Sequence, residues 1–295
     1  MTNREGGYQV YLMNSDGSSP VPLTRSPGGR MANRVRTSSS PPSGREPRGE
    51  RRFERADAFR ASMPVEYRNT FDEAATREHA AIVERRAGAP VHVETWRQLP
   101  SGGAIVCIVA DDRPGLLSLI SASLTAARMD ILSMQAYTRT HPEAEVPEAV
   151  DFVWLRREGD ASPPIGSADA SRVVEVLRGL IAGDLTPESL LRRTRSPGAV
   201  SKGVARVDFA ETLDAGHSVL NVEASDRPGL LLTITLALFR ARVQIVASRA
   251  DTKDGSAADR FTIAESDGAR LSPQRRGEVR AAVHTALDAF ANRAR

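Results

Sequence analysis

The sequence predicts an α+β protein made of two copies of one unit, each an antiparallel four-stranded sheet covered on one face by two helices. Two observations predict this fold. First, the pentapeptide Asp-Arg-Pro-Gly-Leu occurs at residues 112–116 and again at 226–230, which is 114 residues further along. Second, each copy lies in the same order of patterns: strand, strand, helix, strand, strand, helix. A long exact repeat in one local context indicates a duplicated unit.

Residues 1–60 are predicted to be a disordered basic arm. They are rich in Arg, Pro, Ser and Gly, so they bury too little apolar surface to offset the entropy of folding. A basic arm can contact nucleic acid or a membrane, but aromatic residues are sparse and no amphipathic pattern is present, which favours a solvated tail. Residues 8–28 resemble a single repeat of the TolB-type β-propeller. One blade cannot close a propeller, so we interpret this segment as a remnant or a misplaced gene start.

Composition excludes several classes of protein. The net charge is +3 over 295 residues, and 40% of the residues are hydrophobic and 26% charged, as in an ordinary soluble chain. No apolar run approaches the roughly 18 residues that a membrane-spanning helix needs, and no signal peptide is recognisable. We therefore expect a cytoplasmic protein. The one cysteine, Cys107, lies inside an apolar run and is expected to be a buried core residue.

The first unit follows a helical connector at 61–90. The connector has acidic residues early and basic residues late, which suits the helix dipole, and Gly88 and Pro90 end it. The first unit is expected to span residues 91–184. Its elements are strands near 91–97, 104–110, 131–138 and 149–155 and helices after the repeated turn and over 168–182.

The second unit, residues 205–292, follows a linker at 185–204. Its elements are strands near 205–211, 219–224, 245–252 and 260–264 and helices after the repeated turn and over 272–291. The helix after each turn has one apolar face, and the proline of the turn is expected at the first helical position, where an N–H has no partner. The strand at 205–211 could instead return to the first unit as its last strand. The sequence leaves both pairings open.

The pattern of a buried strand, Asp-Arg-Pro-Gly-Leu-Leu, an amphipathic helix and a strand pair resembles the ACT domain, a ferredoxin-like module that usually binds amino acids. A closer resemblance, over about residues 62–291, is to the C-terminal tandem ACT region of the bifunctional uridylyltransferase/uridylyl-removing enzymes. The segments that carry it are 62–67, 190–193, 217–222 and 259–261. The resemblance implies two ferredoxin-like units and a connection with glutamine sensing and the PII nitrogen-signalling protein.

The catalytic motifs of those enzymes have no counterpart in this sequence. Their phosphohydrolase domain needs a metal-binding His-Asp dipeptide, and none of the five histidines here is followed by Asp. Their nucleotidyltransferase domain needs paired carboxylates after a Gly-Ser turn, whereas the pair Asp111-Asp112 belongs to the repeated turn. We therefore expect no catalytic residues, no metal and no cofactor, although an enzyme role stays open. Asp151-Phe152 also lacks the spacer present in residues 259–261, which weakens the case for a ligand site in the first unit.

The repeated turn is the candidate binding site. It can be a simple strand-to-helix corner, or the N-terminus of its helix can offer N–H groups and a positive dipole end to the carboxylate of an amino acid. The resemblance implies a ligand between the units, with Asp112 or Asp226 at its ammonium and Gly115 or Gly229 at its carboxylate. The two arginines are expected to point to solvent or to a neighbouring carboxylate. The candidate ligand-binding residues are Asp112, Arg113, Pro114, Gly115, Leu116, Asp226, Arg227, Pro228, Gly229 and Leu230.

Three functions are compatible with these observations, and the second copy of the turn is the stronger candidate site. The leading function is a non-catalytic regulatory protein that binds a small amino acid, glutamine first, and transmits the signal by changing the packing of its units. The first alternative is a fragment or split subunit of a PII uridylyltransferase/uridylyl-removing enzyme. The second is a purely oligomerising module, because exposed sheet edges pair with other chains. The expected partners are an amino acid, a PII-type protein or a separate catalytic chain, and a second copy of this chain, but not a membrane or nucleic acid.

Overall fold

The computed structural model describes residues 11–12, 21–22, 48–100, 102–140, 145–158, 164–192, 205–211, 216–253 and 255–292. The chain divides into two compact units, residues 1–80 and 81–295. Of the TolB-like segment, only two short paired strands, β1 (Tyr11–Leu12) and β2 (Val21–Pro22), lie within the described residues. A helix, α1 (Arg48–Ser62), occupies the end of the predicted arm, so helical structure begins earlier than the expected boundary at residue 61.

The connector continues with two helices, α2 (Val65–Thr70) and α3 (Glu73–Arg85). An aromatic cluster forms its interior. The Tyr67 ring lies 5.7 Å from that of Phe59 and 4.9 Å from that of Phe71, between centroids. The Tyr67 hydroxyl is 2.7 Å from His79 Nδ1, and both side chains are fully buried. Buried aromatic pairs of this kind explain why the connector folds as helices rather than as an extended linker.

Residues 81–295 build one antiparallel sheet of eight strands in the order β3-β4-β6-β5-β9-β10-β8-β7. The strands are β3 (Val91–Gln98), β4 (Ala104–Asp111), β5 (Met129–Arg139), β6 (Glu148–Arg157), β7 (Arg206–Ala210), β8 (Ser218–Ser225), β9 (Val243–Lys253) and β10 (Ser256–Glu265). The helices are α4 (Leu116–Ala126), α5 (Ser167–Ala182), α6 (Pro187–Leu191), α7 (Leu230–Arg240) and α8 (Pro273–Asn292). The α+β class is confirmed. The two expected four-stranded sheets are joined edge to edge, and we call β3–β6 the first half and β7–β10 the second half.

The strand expected near residues 205–211 belongs to the second half. It is β7, and it pairs antiparallel with β8, with Val207 opposite Val222. In the first half, β3 pairs with β4 in the same way, with Val93 opposite Ile108. Each half therefore fills its outer position with the strand that precedes its buried strand, and no strand is exchanged between the halves.

Strands β5 and β9 join the two halves. Gln135 lies opposite Arg249, and these two positions are 114 residues apart, which is the spacing of the repeat. Equivalent residues thus face each other, so an approximate twofold axis passes through this pair. The Ser133 hydroxyl donates a hydrogen bond to Asp251 Oδ1 across the same strand pair at 2.9 Å.

One apolar core lies between the sheet and its helices. Helix α4 packs on α5, α7 packs on α8, and α4 and α7 contact each other across the axis. Strands β4 and β6 are buried along most of their length, whereas β10 alternates exposed and buried residues. The two central strands of the first half, β4 and β6, are therefore buried on both faces of the sheet, whereas β10 of the second half is buried mainly on one. Cys107 on β4 is fully buried, as expected.

Candidate functional site: the two copies of the repeated turn

Both copies of the repeated turn have the same backbone structure. The Leu116 N–H donates to the Arg113 carbonyl at 3.0 Å, and the corresponding bond in the second copy is 3.1 Å. Between these residues, Gly115 and Gly229 have φ values of 81° and 87°. This hydrogen bond, with glycine at positive φ in the third position, defines a type II β-turn. A residue with a side chain would be strained there.

Helices α4 and α7 begin directly after the glycines, at Leu116 and Leu230. The expectation that Pro114 and Pro228 occupy the first helical position is therefore wrong. Each proline is instead the second residue of the type II turn, where its restricted φ suits the turn. The first amide of each helix, that of Leu116 or Leu230, closes the turn, so a ligand can use only the amides that follow it.

The aspartate of each turn is held by the strand beside it. Asp112 Oδ2 accepts a hydrogen bond from the Thr138 hydroxyl at 2.8 Å, and Asp226 accepts one from Thr252. Each also accepts the backbone N–H of the arginine that follows it. Burial raises the pKa of both carboxyl groups, and these hydrogen bonds oppose the shift. For Asp226, the carboxylate of Asp130 is the second cause of the raised pKa.

A second, more deeply buried aspartate lies behind each turn. Asp151 lies opposite Ile108, and Asp259 lies opposite Val222. Because positions 108 and 222 are 114 residues apart, the two aspartates are structurally equivalent, although they are separated by 108 residues. The hairpin of the first half is six residues longer than that of the second, and this difference hid the equivalence in the sequence.

Burial dominates the protonation of both deep aspartates. It raises the pKa of Asp151 well above its ordinary value. For Asp259, burial, then the charges of Asp226 and Asp251, raise the pKa to about 8. At neutral pH the Asp259 carboxyl is therefore mainly protonated, and it can act as a hydrogen-bond donor.

A cavity of about 40 Å³ lies at the second turn, between the two halves of the sheet. One wall is the turn itself with the first residues of α7, and the other comes from the end of α4 and the start of β5. Its lining residues are Thr125, Met129, Asp130, Ile131, Asp226, Arg227, Pro228, Gly229, Leu230, Leu231, Leu232, Ala250, Thr252, Ala257 and Asp259. We call this cavity the second-turn cleft. A cavity of this size is large enough to hold water.

Carboxylates from both halves face one another in the second-turn cleft. Asp130 of the first half and Asp226 of the second half act on each other electrostatically, and Asp259 lies in the same lining. Asp130 is itself paired with Arg156, whose Nη2 is 2.6 Å from Asp130 Oδ2. The acidic groups can attract a positively charged group, and the helix N-terminus beside them can attract a negatively charged one, within the same small cleft.

The arginine of the second turn lies over an aromatic ring. The centre of the Arg227 guanidinium is 4.1 Å from the centroid of the Phe290 ring. Its Nε and Nη1 atoms are buried and have no hydrogen-bond partner among the described residues, and burial lowers its pKa. The Arg227 side chain was expected to point to solvent or to a carboxylate, but its main contact is the Phe290 ring. The side chain is held by a cation–π contact and retains donors for a ligand or a water molecule.

The first turn is braced by ion pairs. Arg86 is 2.6 Å from Asp111 and 2.8 Å from Glu148, and Arg139 is 2.7 Å from the same glutamate. The side chains of Arg86, Glu148 and Arg139 are only 10–15% exposed, so this network is stronger than a surface pair. The second turn has Ser225 where the first has Asp111, so it lacks that contact.

Other possible sites carry less chemistry. Among the described residues, no group of three or more His, Cys, Asp or Glu side chains is placed to hold a metal ion. A groove of about 690 Å³ lies between β3 and α5 and is lined in part by Val93, Val174 and Arg178, but it includes no residue of either turn. In the part of the chain that is described, no helix is long and apolar enough to cross a membrane.

Comparison with known proteins identifies a relative. The chain is 28% identical over 226 residues to the bifunctional uridylyltransferase/uridylyl-removing enzyme of Rhodospirillum rubrum, covering 74% of this chain and 23% of that enzyme. The identity to the enzyme of Nitrobacter hamburgensis is 30% over 204 residues, which cover 68% of this chain and 21% of that enzyme. This chain resembles one segment of the bifunctional uridylyltransferase/uridylyl-removing enzyme.

The enzyme of Phenylobacterium zucineum extends the match to 239 residues, 79% of this chain, at 28% identity. The resemblance expected from the sequence motifs is thus confirmed. The chain spans less than a quarter of the length of these curated relatives, between 21% and 24%. No protein-family model matches the chain.

Several residues of the second-turn cleft were not singled out by the sequence motifs. Thr125 and Asp130 belong to the first half, yet they line a site at the second turn. At the first turn, Asp151 was noted only for its spacing, and Phe239 was not noted. One signal could have found three of them: aligning the halves at 114 residues pairs Thr125 with Phe239 and Asp130 with Gln244, and both are unlike pairs near the turns.

Proposed function

We propose that this chain is a non-catalytic regulatory protein of nitrogen signalling, with two ACT units that bind one small amino acid, glutamine first. The second-turn cleft is the observation that carries this proposal, because carboxylates and a helix N-terminus meet there between the two halves. The resemblance to uridylyltransferase/uridylyl-removing enzymes supports a connection with PII-type proteins. A cytoplasmic location follows from such a role.

The two ends of an amino acid match the two kinds of group in the cleft. Its ammonium would contact Asp226 and Asp130, which together carry the negative charge that a cation requires. Its carboxylate would accept hydrogen bonds from the amides that follow Leu230 at the start of α7, beside Gly229, where positive φ and the missing side chain bring the backbone close. Arg227, with unpaired donors, lies in the same lining and suits a side-chain amide oxygen or the carboxylate.

Ligand entry would also provide the signal. An amino acid is larger than a cavity of about 40 Å³, so binding requires the second turn to move away from the start of β5. These two walls belong to different halves of the sheet. Binding and a change in the packing of the halves would therefore be one event, and a partner that contacts both halves could detect it.

Calorimetry with the twenty amino acids tests the proposal. We expect saturable binding of glutamine, and we expect Asp226→Asn to weaken it at least about tenfold, because a charge-assisted hydrogen bond contributes roughly 1.5–3 kcal/mol. Asp112→Asn is the matched control, since it makes the same change in the equivalent turn. Its affinity for glutamine should stay within about twofold of the original protein.

Two results would count against an amino-acid sensor. The first is that no amino acid produces heat up to about 10 mM, which corresponds to a binding free energy weaker than roughly 3 kcal/mol. The second is an equal loss of affinity in both aspartate variants, since that would remove the link between binding and the second-turn cleft.

A second candidate function is a fragment or split subunit of a uridylyltransferase/uridylyl-removing enzyme. The observation that favours it is the limited coverage of the relatives, which are four to five times longer than the matched part. Incubation with a PII-type protein, UTP and Mg²⁺ tests this function. Transfer of labelled uridylyl groups by this chain alone would replace the non-catalytic proposal. Transfer only after addition of a separate catalytic chain would support the split subunit.

An oligomerising module is the remaining function. Strands β3 and β7 are the outer strands of the eight-stranded sheet, so each presents an unpaired edge within the described structure. Crosslinking with and without glutamine separates assembly from sensing. Assembly that is identical in both conditions, together with no amino-acid binding, would favour this function.

A further inference from the structure

The end of one helix covers the turn of the opposite half. Pairing of β5 with β9 about the approximate twofold axis brings α4 and α7 together. Thr125, near the end of α4, therefore lies in the cleft of the second turn. Phe239, which is 114 positions later and near the end of α7, lies at the first turn. These two residues are thus equivalent, and each is the neighbour of the other half's turn.

The two neighbours differ greatly in size. A Cβ atom built on Gly115 would lie 2.6 Å from Cδ2 of the Phe239 ring and 2.9 Å from its Cε2, so the ring rests directly on the turn. At the second turn, a Cβ atom on Gly229 would come closest to Leu191, at 3.1 Å, and Thr125 is not among its three nearest neighbours. The Phe239 ring therefore lies over the first turn, at the position that corresponds to Thr125 beside the second-turn cleft.

We infer that Phe239 closes the first turn to ligands, so that the chain has one amino-acid cleft and not two. This inference rests on the proposed function for the nature of the ligand. Two further differences point the same way. Gln244 stands where the second-turn cleft has Asp130, which removes one of the facing carboxylates. The ion pairs of Arg86 with Asp111 and Glu148 also brace the first turn against the movement that ligand entry requires.

The exposure of Phe239 agrees with a covering role. The side chain is 44% exposed, which makes it one of the three large apolar residues that stand out on the described surface. Its ring covers the turn from outside instead of completing the core. Replacing Phe239 by threonine, the residue at the equivalent position 125, should therefore uncover the turn without leaving a cavity in the core.

Exchange of the two equivalent residues tests the inference by calorimetry with glutamine, or with whichever amino acid binds most tightly. The original protein should bind one molecule per chain. Phe239→Thr should bind two, with the added site weaker because it lacks a counterpart of Asp130. Thr125→Phe should weaken binding at least about tenfold, and circular dichroism should show that this variant remains folded. Two molecules per chain in the original protein, or one in Phe239→Thr, would overturn the inference and leave the proposed function in place.

A second measurement does not depend on any ligand. Gly115→Ala should lower the melting temperature in the original protein, because its Cβ meets both the strain of positive φ and the Phe239 ring. In the Phe239→Thr background only the strain remains, so the loss should be smaller by at least about 3 °C. Equal losses in the two backgrounds would show that Phe239 does not fill the turn. If no variant binds any amino acid while the losses differ, the proposed function fails and the closure of the first turn stands.

Discussion

Replacement of Asp259 by asparagine should stabilise the protein at neutral pH. Asp259 lies on β10 with only 5% of its surface exposed, and the two charges that act on it, Asp226 and Asp251, are both negative. Asparagine has nearly the same shape and carries no charge. The substitution therefore removes the cost of a buried carboxylate and leaves the packing of the strand unchanged.

The size of the effect follows from the raised pKa of Asp259. The pKa is about 8 in the folded protein and 3.8 in its ordinary environment, so the folded protein binds this proton more tightly than the unfolded chain does. The free energy of unfolding is therefore fully retained below pH 3.8 and falls as the pH rises towards 8. The free energy of unfolding falls by about 1.36 kcal/mol for each pH unit above 3.8, so at pH 7 it has fallen by about 4 kcal/mol.

Urea unfolding at several pH values between 4 and 9, followed by circular dichroism, measures this loss. We expect Asp259→Asn to unfold at higher urea concentration at pH 7, by about 4 kcal/mol, and at nearly the same concentration as the original protein near pH 4. Asp208→Asn is the control, because its side chain is 47% exposed in an ion pair with Arg206 and should contribute less than about 1 kcal/mol at any pH. The reasoning is refuted if Asp259→Asn destabilises the protein at pH 7, or if its effect does not change with pH.

Two further predictions concern the turn and the joined sheets. Gly229→Val should lower the free energy of unfolding by about 1–3 kcal/mol more than Gly268→Val, because both glycines have positive φ but only Gly229 has a neighbour within 4 Å of its Cβ position. Thermal melting measures this difference, and equal losses in the two variants would contradict the prediction. Ser133→Ala should lower the free energy of unfolding by about 0.5–1 kcal/mol and speed the hydrogen exchange of amides in β5 and β9, because it removes the hydrogen bond to Asp251. Unchanged exchange rates would show that this hydrogen bond does not hold the halves together.

The elements of the fold could be predicted because their signals are local. Proline and glycine at fixed positions of the repeated turn require a restricted φ and a positive φ, and the type II turn has both. Two local predictions were wrong: Pro114 precedes α4 instead of beginning it, and a helix occupies residues 48–62 at the end of the predicted arm. The burial of β4 could also be predicted, because residues 104–110 form an uninterrupted apolar run, whereas β10 alternates.

The pairing of the strands could not be predicted from the same signals. Backbone hydrogen bonds of an edge strand are nearly independent of its side chains, so β7 could have joined either half until its pairing with β8 was seen. The equivalence of Asp151 and Asp259 was hidden for a different reason. A hairpin that is six residues longer shifts one of them in the alignment, and only the pairing with Ile108 and Val222 restores the match.

The sequence by itself determined that two similar units are present, that each contains the same turn, and that the chain resembles one segment of the uridylyltransferase/uridylyl-removing enzymes. These properties could be recognised because each depends on a short stretch of consecutive residues. Only the tertiary structure decided that the two turns have different neighbours. The neighbour of each turn comes from the other half, 104 residues away for Thr125 and Gly229 and 124 for Phe239 and Gly115, and that contact exists only after β5 pairs with β9. It places Thr125 at one turn and Phe239 at the other, and the size of these two side chains leaves a cleft at the second turn while the ring covers the first.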